Sequence, residues 1–249
     1  MKRFWMLTKA MFLVHIRNRI TLFWNIVFPV FLLVIYALVF SSNEVSGVNY
    51  MTWVLPGVIV LNILSYGLMS SSTMLVSMRE NAVLRRIQAT PVSAGEVVGA
   101  YLVVNVLVAL LQTTTILITA ILFFDYPINL QGLLMALPMI IAAILVSVAL
   151  GQIVSGVAPK AGVAVALGQL LYFSQMFISD MIMPVSNMPV WLQHIARYLP
   201  GYVITQLVRP PMLLGEWSTA LLPNLMLLVV YALAAGALAA LLFRWAPRS

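Results

Sequence analysis

The stretch LFWNIVFPVFLLVIYALVF, at residues 22–40, contains no charged residue and decides the class of fold. Fourteen of its nineteen residues are Leu, Ile, Val or Phe. Each of these favours membrane insertion by roughly 0.3–0.6 kcal/mol, so together they contribute on the order of 4–8 kcal/mol, more than Asn25 and Pro29 oppose. A helix of this length also spans about 30 Å of hydrocarbon. We therefore predict a membrane-spanning helix here.

Five further stretches are free of Lys and Arg and long enough to cross a membrane. They are residues 52–76, 97–124, 133–155, 163–182 and 219–243. The 249-residue chain is 63% hydrophobic and 8% charged, whereas soluble domains are about half apolar and a quarter charged. The sequence therefore predicts an all-α integral membrane protein with six transmembrane helices in one domain, residues 1–249.

The basic residues indicate the orientation, because Lys and Arg resist translocation and accumulate in cytoplasmic loops. Eleven of the 13 fall on one side of the predicted topology: in the N-terminal arm, after the second span, at Lys160 and in the C-terminal tail. Only Arg197 and Arg209 fall on the other side. We therefore predict that both termini are cytoplasmic. The net charge of +7 is read as a topology signal, so no nucleic-acid partner is expected.

Two segments outside the spans have patterns of their own. In residues 1–20, apolar side chains recur at Phe4, Leu7, Met11 and Val14, which predicts an interfacial amphipathic helix on the inner leaflet; a disordered basic tail is the alternative. Residues 183–218 hold five of the 13 prolines and several Trp and Tyr residues. Proline breaks long helices and these aromatic residues favour the membrane boundary, so we predict re-entrant outer helices between spans five and six.

Catalytic signatures are missing from the sequence. There is no phosphate-binding loop, no nucleophile elbow, no HExxH motif and no cysteine, and His15 and His194 lie outside the predicted spans. We therefore predict no catalytic residue, no metal site and no cofactor on this chain. An ion-driven transporter normally places ionisable groups near the membrane midplane. Their scarcity here predicts that a partner supplies the energy.

The loop after the second span, residues 77–92, is the candidate surface for that partner. Glu80 precedes Leu84 by one turn, Val83 and Ile87 share a face, and Thr90-Pro91 ends the helix. A short charged helix with a small apolar face suits docking into a cleft of a soluble protein. The alternative is an ordinary helix held at the membrane surface by its positive charge.

Several segments together resemble the permeases of type 2 ABC exporters. The motifs are Arg17-Asn18-Arg19 followed by Phe28-Pro29, Arg79-Glu80 through Thr90-Pro91, Met183-Pro184 through Pro189-Val190-Trp191-Leu192, and Leu207-Val208-Arg209. Each motif is degenerate, but their order and spacing are specific and cover essentially the whole chain. The resemblance implies a multi-pass protein of a bacterial or archaeal inner membrane. It also implies a second permease chain, identical or different, and separate cytosolic ATPase subunits that bind ATP and Mg²⁺.

The resemblance also assigns site residues. It implies that the turn and the N-terminal arm transmit the ATPase movement, through Arg79, Glu80, Leu84, Arg85, Arg86, Arg17 and Arg19. It implies that the second and fifth helices line the transport path, which here offers Asn62, Ser65, Tyr66, Gln169, Tyr172, Phe173 and Asp180. Aromatic and uncharged polar groups suit an amphiphile. The Asp180 carboxylate is expected to meet a cationic substrate that leaves the path. The alternative for the uncharged polar residues is hydrogen bonding between helices, and the alternative for Asp180 is simple hydration at the outer boundary.

Two positions depart from the family pattern. Ala82-Val83 stands where relatives usually have Gly-Thr, so we expect a more regular local turn, and Asp180 stands where many relatives have Gly.

The function that the resemblance implies is export of an amphiphilic drug, antibiotic, lipid or lipid-linked glycan by alternating access, driven by a separate ATPase. The alternative is a secondary transporter or channel without an ATPase. A membrane enzyme is disfavoured by the missing catalytic motifs.

Overall fold

The computed structural model describes residues 2–17, 23, 27–40, 44–45, 47–89, 92–124, 126–127 and 129–242, which are mainly helical. The elements up to residue 88 are α1 (Lys2–Arg17), α2 (Phe28–Phe40), β1 (Glu44–Val45), β2 (Val48–Asn49), α3 (Tyr50–Ser65), a π-helical segment (Tyr66–Ser71), α4 (Ser72–Glu80) and α5 (Val83–Gln88). They are followed by α6 (Ala94–Phe124), α7 (Leu130–Val157), α8 (Ala161–Ile178), a 3₁₀ turn (Val185–Asn187), α9 (Val190–Ala196), α10 (Pro200–Leu214) and α11 (Leu221–Leu242).

The centre of the bundle is one continuous helical rod formed by α3, the π segment and α4. The rod begins where the Asn49 side chain accepts a hydrogen bond from the Met51 amide. Almost every residue of α3 is buried, as expected for a helix that is apolar all round. Helices α2, α6, α7, α8 and α10 all pack against α3. The rod therefore connects the two ends of the molecule through the core.

Five helices in the described part of the chain are long and apolar enough to cross a membrane: Tyr50–Glu80, Gly95–Phe124, Leu130–Val157, Ala161–Ile178 and Leu221–Leu242. The remaining predicted span, residues 22–40, is described as a helix only over Phe28–Phe40. Its residues 22 and 24–26 lie outside the described residues, as does residue 243 at the end of the last predicted span. The prediction of six spans therefore stays a prediction.

A small β-hairpin departs from the expected all-helical fold. Strands β1 and β2 pair antiparallel, with Val45 opposite Val48. The turn between them includes Gly47, whose φ of +76° is a left-handed conformation that glycine adopts at little cost. The hairpin leads directly into α3, so it sets the direction in which the central rod enters the bundle.

Helix α1 packs along α6 with the face that carries Phe4, Leu7 and Met11. The Phe4 ring lies against Gly99 of α6. Val14, the fourth residue of the predicted apolar stripe, is 64% exposed, and the buried face instead continues through His15. The stripe therefore binds the protein rather than lipid over most of its length, while the placement of α1 on the inner leaflet stays a prediction.

The bundle has two ends that differ in charge. At one end lie α1, α4, α5 and the turn between α7 and α8, and we call it the Arg79 end. The other, the Arg209 end, contains the β-hairpin and residues 179–218. Six basic residues whose side chains are described lie at the Arg79 end: Arg3, Lys9, Arg17, Arg79, Arg86 and Lys160. Arg197 and Arg209 are at the opposite end. The segregation of charge expected from the sequence is therefore present in three dimensions.

Candidate coupling turn and transport path

Two of the predicted coupling residues hold the turn in place from inside. Leu84 is 1% exposed and lines a small apolar pocket together with Met11, Leu75 and Tyr101. Arg79 is 5% exposed, and its Nη2 donates a hydrogen bond of 2.5 Å to the Ala158 carbonyl in the turn between α7 and α8. Both side chains therefore anchor the turn to the bundle and do not face outward, and their role in coupling stays a prediction.

The outer surface of the turn carries the remaining charges. Glu80 and Arg86 are exposed, and Arg17 is exposed at the end of α1. The side chain of Arg85 and all of Arg19, Thr90 and Pro91 lie outside the described residues. The described part of the turn thus presents an acidic group at the end of α4 and a basic group on α5, which is fixed to the core by Leu84.

The start of α6 closes the turn with a capping box. The Ser93 amide donates to a Glu96 carboxylate oxygen at 2.9 Å, and the Glu96 amide donates to the Ser93 hydroxyl at 3.2 Å. This reciprocal pair satisfies amide donors that the first helical turn leaves free. The Ser-x-x-Glu spacing at 93–96 was the signal for it in the sequence. It fixes where the chain leaves the turn.

Ala82 is in a left-handed conformation with φ +57°, so the expectation of a more regular turn is wrong. The residue ends α4 at a position where the chain must reverse, and this geometry favours glycine. An alanine there costs about 1–2 kcal/mol because its Cβ approaches the following carbonyl oxygen. The local backbone therefore keeps the shape that Gly adopts without strain.

Replacing Ala82 with glycine is expected to stabilise the protein by about 0.5–1 kcal/mol, since the strain relieved exceeds the entropy that glycine loses on folding. The matched control is Ala10→Gly at an exposed position of α1, where helix propensity predicts a loss of about 1 kcal/mol. Unfolding midpoints in detergent measure both. A loss at residue 82 equal to that at residue 10 contradicts the strain.

The predicted path residues divide between the core and the surface. Asn62, Tyr66 and Tyr172 are buried and Ser65 is half-buried, whereas Gln169 is exposed and Phe173 is 48% exposed. Within one chain these side chains therefore do not line a single cavity. The Asn62 side-chain oxygen is buried without a hydrogen-bond partner among the described residues. The exposed pair marks a face of α8 that another molecule can contact.

Asp180 forms a buried ion pair that was not predicted. Its Oδ2 lies 2.6 Å from Nη1 of Arg209, and the two side chains are 12% and 7% exposed. Oδ2 also accepts a hydrogen bond from Gln206, and Oδ1 accepts one from the Val185 amide. Asp180 has φ +59°, a conformation that Asp tolerates better than most residues. Its carboxylate is thus held by the protein rather than simply hydrated.

Arg209 ties the same loop to the central rod. Its guanidinium donates to the carbonyls of Asp180 and Met181 and, through Nε, to that of Trp53. The guanidinium carbon lies 3.9 Å from the centre of the Trp53 ring, a cation–π geometry. Burial lowers the pKa of Arg209 and the Asp180 carboxylate opposes that shift. The arrangement joins α10, the loop after α8 and the start of α3.

Two further side chains, those of Tyr50 and Gln175, strengthen this junction. The Tyr50 hydroxyl donates to the Ile182 carbonyl at 2.9 Å. Gln175 Oε1 accepts from the Gly201 amide at 2.9 Å and from the Ser179 hydroxyl at 3.2 Å. In the sequence, Arg209 counted as a basic residue of an outer loop and as part of the motif Leu207-Val208-Arg209. An Arg between apolar residues is also a signal for a buried partner, and that signal was not used. The re-entrant position of α9 and α10 stays a prediction.

The chain is similar to a known transporter family over most of its length. The profile of the ABC-2 type transporter family matches residues 2–213, from α1 through the coupling turn to α10. Nodulation protein J of Rhizobium leguminosarum bv. viciae is 35% identical over 82 residues, which are 33% of this chain and 32% of that protein. The aligned part thus spans about a third of the length of that relative. The chain has five apolar helices of spanning length, and the family profile matches most of its residues. It is therefore a multi-pass membrane protein that belongs to the ABC-2 type transporter family.

Proposed function

We propose that the chain is the permease subunit of an ABC exporter that moves an amphiphilic drug, antibiotic, lipid or lipid-linked glycan. The substrate leaves the cytoplasm or the inner leaflet by alternating access. Separate cytosolic ATPase subunits bind ATP and Mg²⁺ and drive the movement, so the chain has no catalytic role. The complex contains two permease chains and lies in the inner membrane of a bacterium or archaeon, with both termini in the cytoplasm.

The observation that carries this proposal is the coupling turn. Helix α5 is fixed to the bundle by Leu84 and the turn by Arg79, while Glu80 and Arg86 remain exposed. A surface helix held only by its charge needs no such internal anchors. A helix that transmits force does need them, because a push on its outer face must reach the core without the helix tilting away. The anchors therefore favour docking by a soluble motor.

The transport path is proposed to form between two chains. Gln169 and Phe173 lie on the exposed face of α8, and a polar amide facing lipid is unfavourable. A second permease chain would cover this face and place the amide and the ring beside the substrate. Tyr66 and Tyr172 are buried within one chain, so in this conformation they pack in the core behind the side chains that line the path.

Charge reversal tests the docking surface. Arg86→Glu is expected to weaken binding to the proposed ATPase subunit by about tenfold or more, because a like-charge contact replaces an attractive one. Co-purification and ATP hydrolysis by the complex in lipid nanodiscs measure the effect. The matched control is Arg197→Glu, which reverses an exposed arginine at the Arg209 end and should leave assembly unchanged. Wild-type assembly and hydrolysis with Arg86→Glu would show that the ATPase docks elsewhere.

A further inference from the structure

The central rod is interrupted by the π segment, Tyr66–Ser71, which lies between α3 and α4. A π turn closes its hydrogen bonds one residue later than an α turn, so it accommodates an extra residue in the rod. Such turns are rare and occur frequently at functional positions. This one separates the part of the rod held at the Arg209 end from the part that carries Arg79.

The π segment touches α7 with its backbone. A Cβ added to Gly151 of α7 would lie 1.9 Å from the Gly67 carbonyl oxygen. In the other direction, a Cβ on Gly67 would lie 2.4 Å from the backbone of Ser147. Contacts this close leave no room for gradual bending of the rod. Packed interfaces of this kind change between discrete arrangements rather than continuously.

Buried hydroxyl groups surround the π segment, and their hydrogen bonding is incomplete. The Ser72 hydroxyl donates to the Leu68 carbonyl at 2.6 Å. The hydroxyl oxygens of Ser71, Thr73 and Ser147 are buried and have no partner among the described residues. A buried hydroxyl without a partner costs about 1–3 kcal/mol, and native proteins seldom keep several together. Their clustering suggests an alternative backbone register in which they are paired.

Two helices outside the rod, α1 and α6, contact the first and last residues of the π segment. The His15 ring of α1 lies edge-on to Tyr66, with the ring centres 5.7 Å apart. The Tyr101 hydroxyl of α6 donates to the Ser71 carbonyl at 2.6 Å. A displacement of α1 or α6 therefore reaches the first and last residues of the segment directly.

We propose that the π segment is a hinge that switches between π and α register and so rotates α4 relative to α3. Removal of one residue from the turn corresponds to a rotation of about 100° and a shift of about 1.5 Å. This motion breaks the contact between Arg79 and Ala158 and moves α5, while α3 stays fixed at Trp53 by Arg209. The role of the hinge rests on the proposed function, because there it converts docking of the ATPase at α5 into movement of the core.

The hinge is tested first on the chain alone, by amide hydrogen exchange in nanodiscs. Amides of residues 67–73 are expected to exchange at least about tenfold faster than those of residues 57–63, although both stretches lie in the core. The double variant Ser71→Ala, Ser147→Ala removes hydroxyls that gain partners only in the other register. It should slow exchange at residues 67–73 by about tenfold, which corresponds to 1.4 kcal/mol.

The matched control for exchange is Thr114→Ala, since that hydroxyl is exposed and donates to the Leu110 carbonyl of its own helix. It should leave exchange at residues 67–73 unchanged. Equal protection of the two stretches in the wild type, or equal effects of the double variant and the control, overturns the hinge. This result does not depend on any ATPase.

The second test uses the assembled complex and spin labels, which the absence of cysteine in the chain makes straightforward. One pair of labels is attached at positions 81 and 160, in place of Asn81 and Lys160 at the Arg79 end. The other pair is attached at positions 52 and 186, in place of Thr52 and Ser186 at the Arg209 end. On adding ATP, the first distance should change by several ångströms, up to about 8 Å for a point on the surface of a rotating helix. The second distance should stay constant.

The outcomes separate the two proposals. A change in the first pair alone, abolished by the double variant, supports the hinge. Equal changes in both pairs show a rigid rod and overturn it. If no ATPase binds and ATP changes neither distance, the proposed function fails, and hydrogen exchange still decides whether the hinge exists.

Discussion

Asp180→Asn is expected to lower the free energy of unfolding by about 3–5 kcal/mol, because it leaves the Arg209 charge buried without its counter-ion. Asparagine has nearly the same shape as aspartate and also tolerates the left-handed backbone at this position. The loss therefore reports the charge rather than the packing or the turn. Reversible unfolding in mixed micelles or steric trapping in bicelles measures it.

Two variants control this experiment. Glu216→Gln neutralises an exposed carboxylate at the same end and should change stability by less than about 0.5 kcal/mol. Adding Arg209→Met to Asp180→Asn removes the stranded charge and should recover part of the loss, since apolar replacements of buried ion pairs are often tolerated. A single variant as stable as wild type would mean that water reaches Arg209 and that the pair does not hold the loop.

Gly151→Ala is the second change with a large expected effect. The new Cβ would lie 1.9 Å from the Gly67 carbonyl oxygen, and the opposing atom is backbone, which cannot rotate away. Overpacking of this kind costs about 1–3 kcal/mol or more, which exceeds the gain of about 1 kcal/mol from better helix propensity. We expect a net loss of about 2 kcal/mol, seen as a lower unfolding midpoint.

The matched control is Gly236→Ala in α11, where an added Cβ meets nothing within 4 Å. That substitution should be neutral or stabilising, since only the propensity gain remains. If both glycine variants unfold at the same midpoint, α7 does not approach the π segment as closely as described.

The apolar helices could be identified in the sequence because a helix that crosses a membrane requires an uninterrupted apolar run. The runs at 97–124 and 133–155 fall inside α6 and α7, which extend only a few residues further. The short charged helix after the second span was also recognisable from its pattern, and α5 lies there. The segregation of basic residues between the two ends could also be predicted, because Lys and Arg accumulate in the loops on one side of the spans.

The orientation of side chains around the coupling turn was not predictable in this way. Leu84 and Arg79 were both predicted to be coupling residues, and the sequence did not show that both side chains are buried. In a helix of six residues the apolar face has too few positions to define a direction. The left-handed Ala82 between α4 and α5 then rotates α5 relative to the rod, and no periodicity in the sequence reports that rotation.

The amino-acid sequence was sufficient for the membrane class, the family and the division of basic residues between two ends, because each depends on composition or on order along the chain. The pairing of Asp180 with Arg209, the π segment and the contact between Gly67 and Gly151 required the tertiary structure. Each joins residues from different helices or depends on a one-residue change of register, and burial decides its energy. Packing, not hydropathy, thus places the polar groups of this protein.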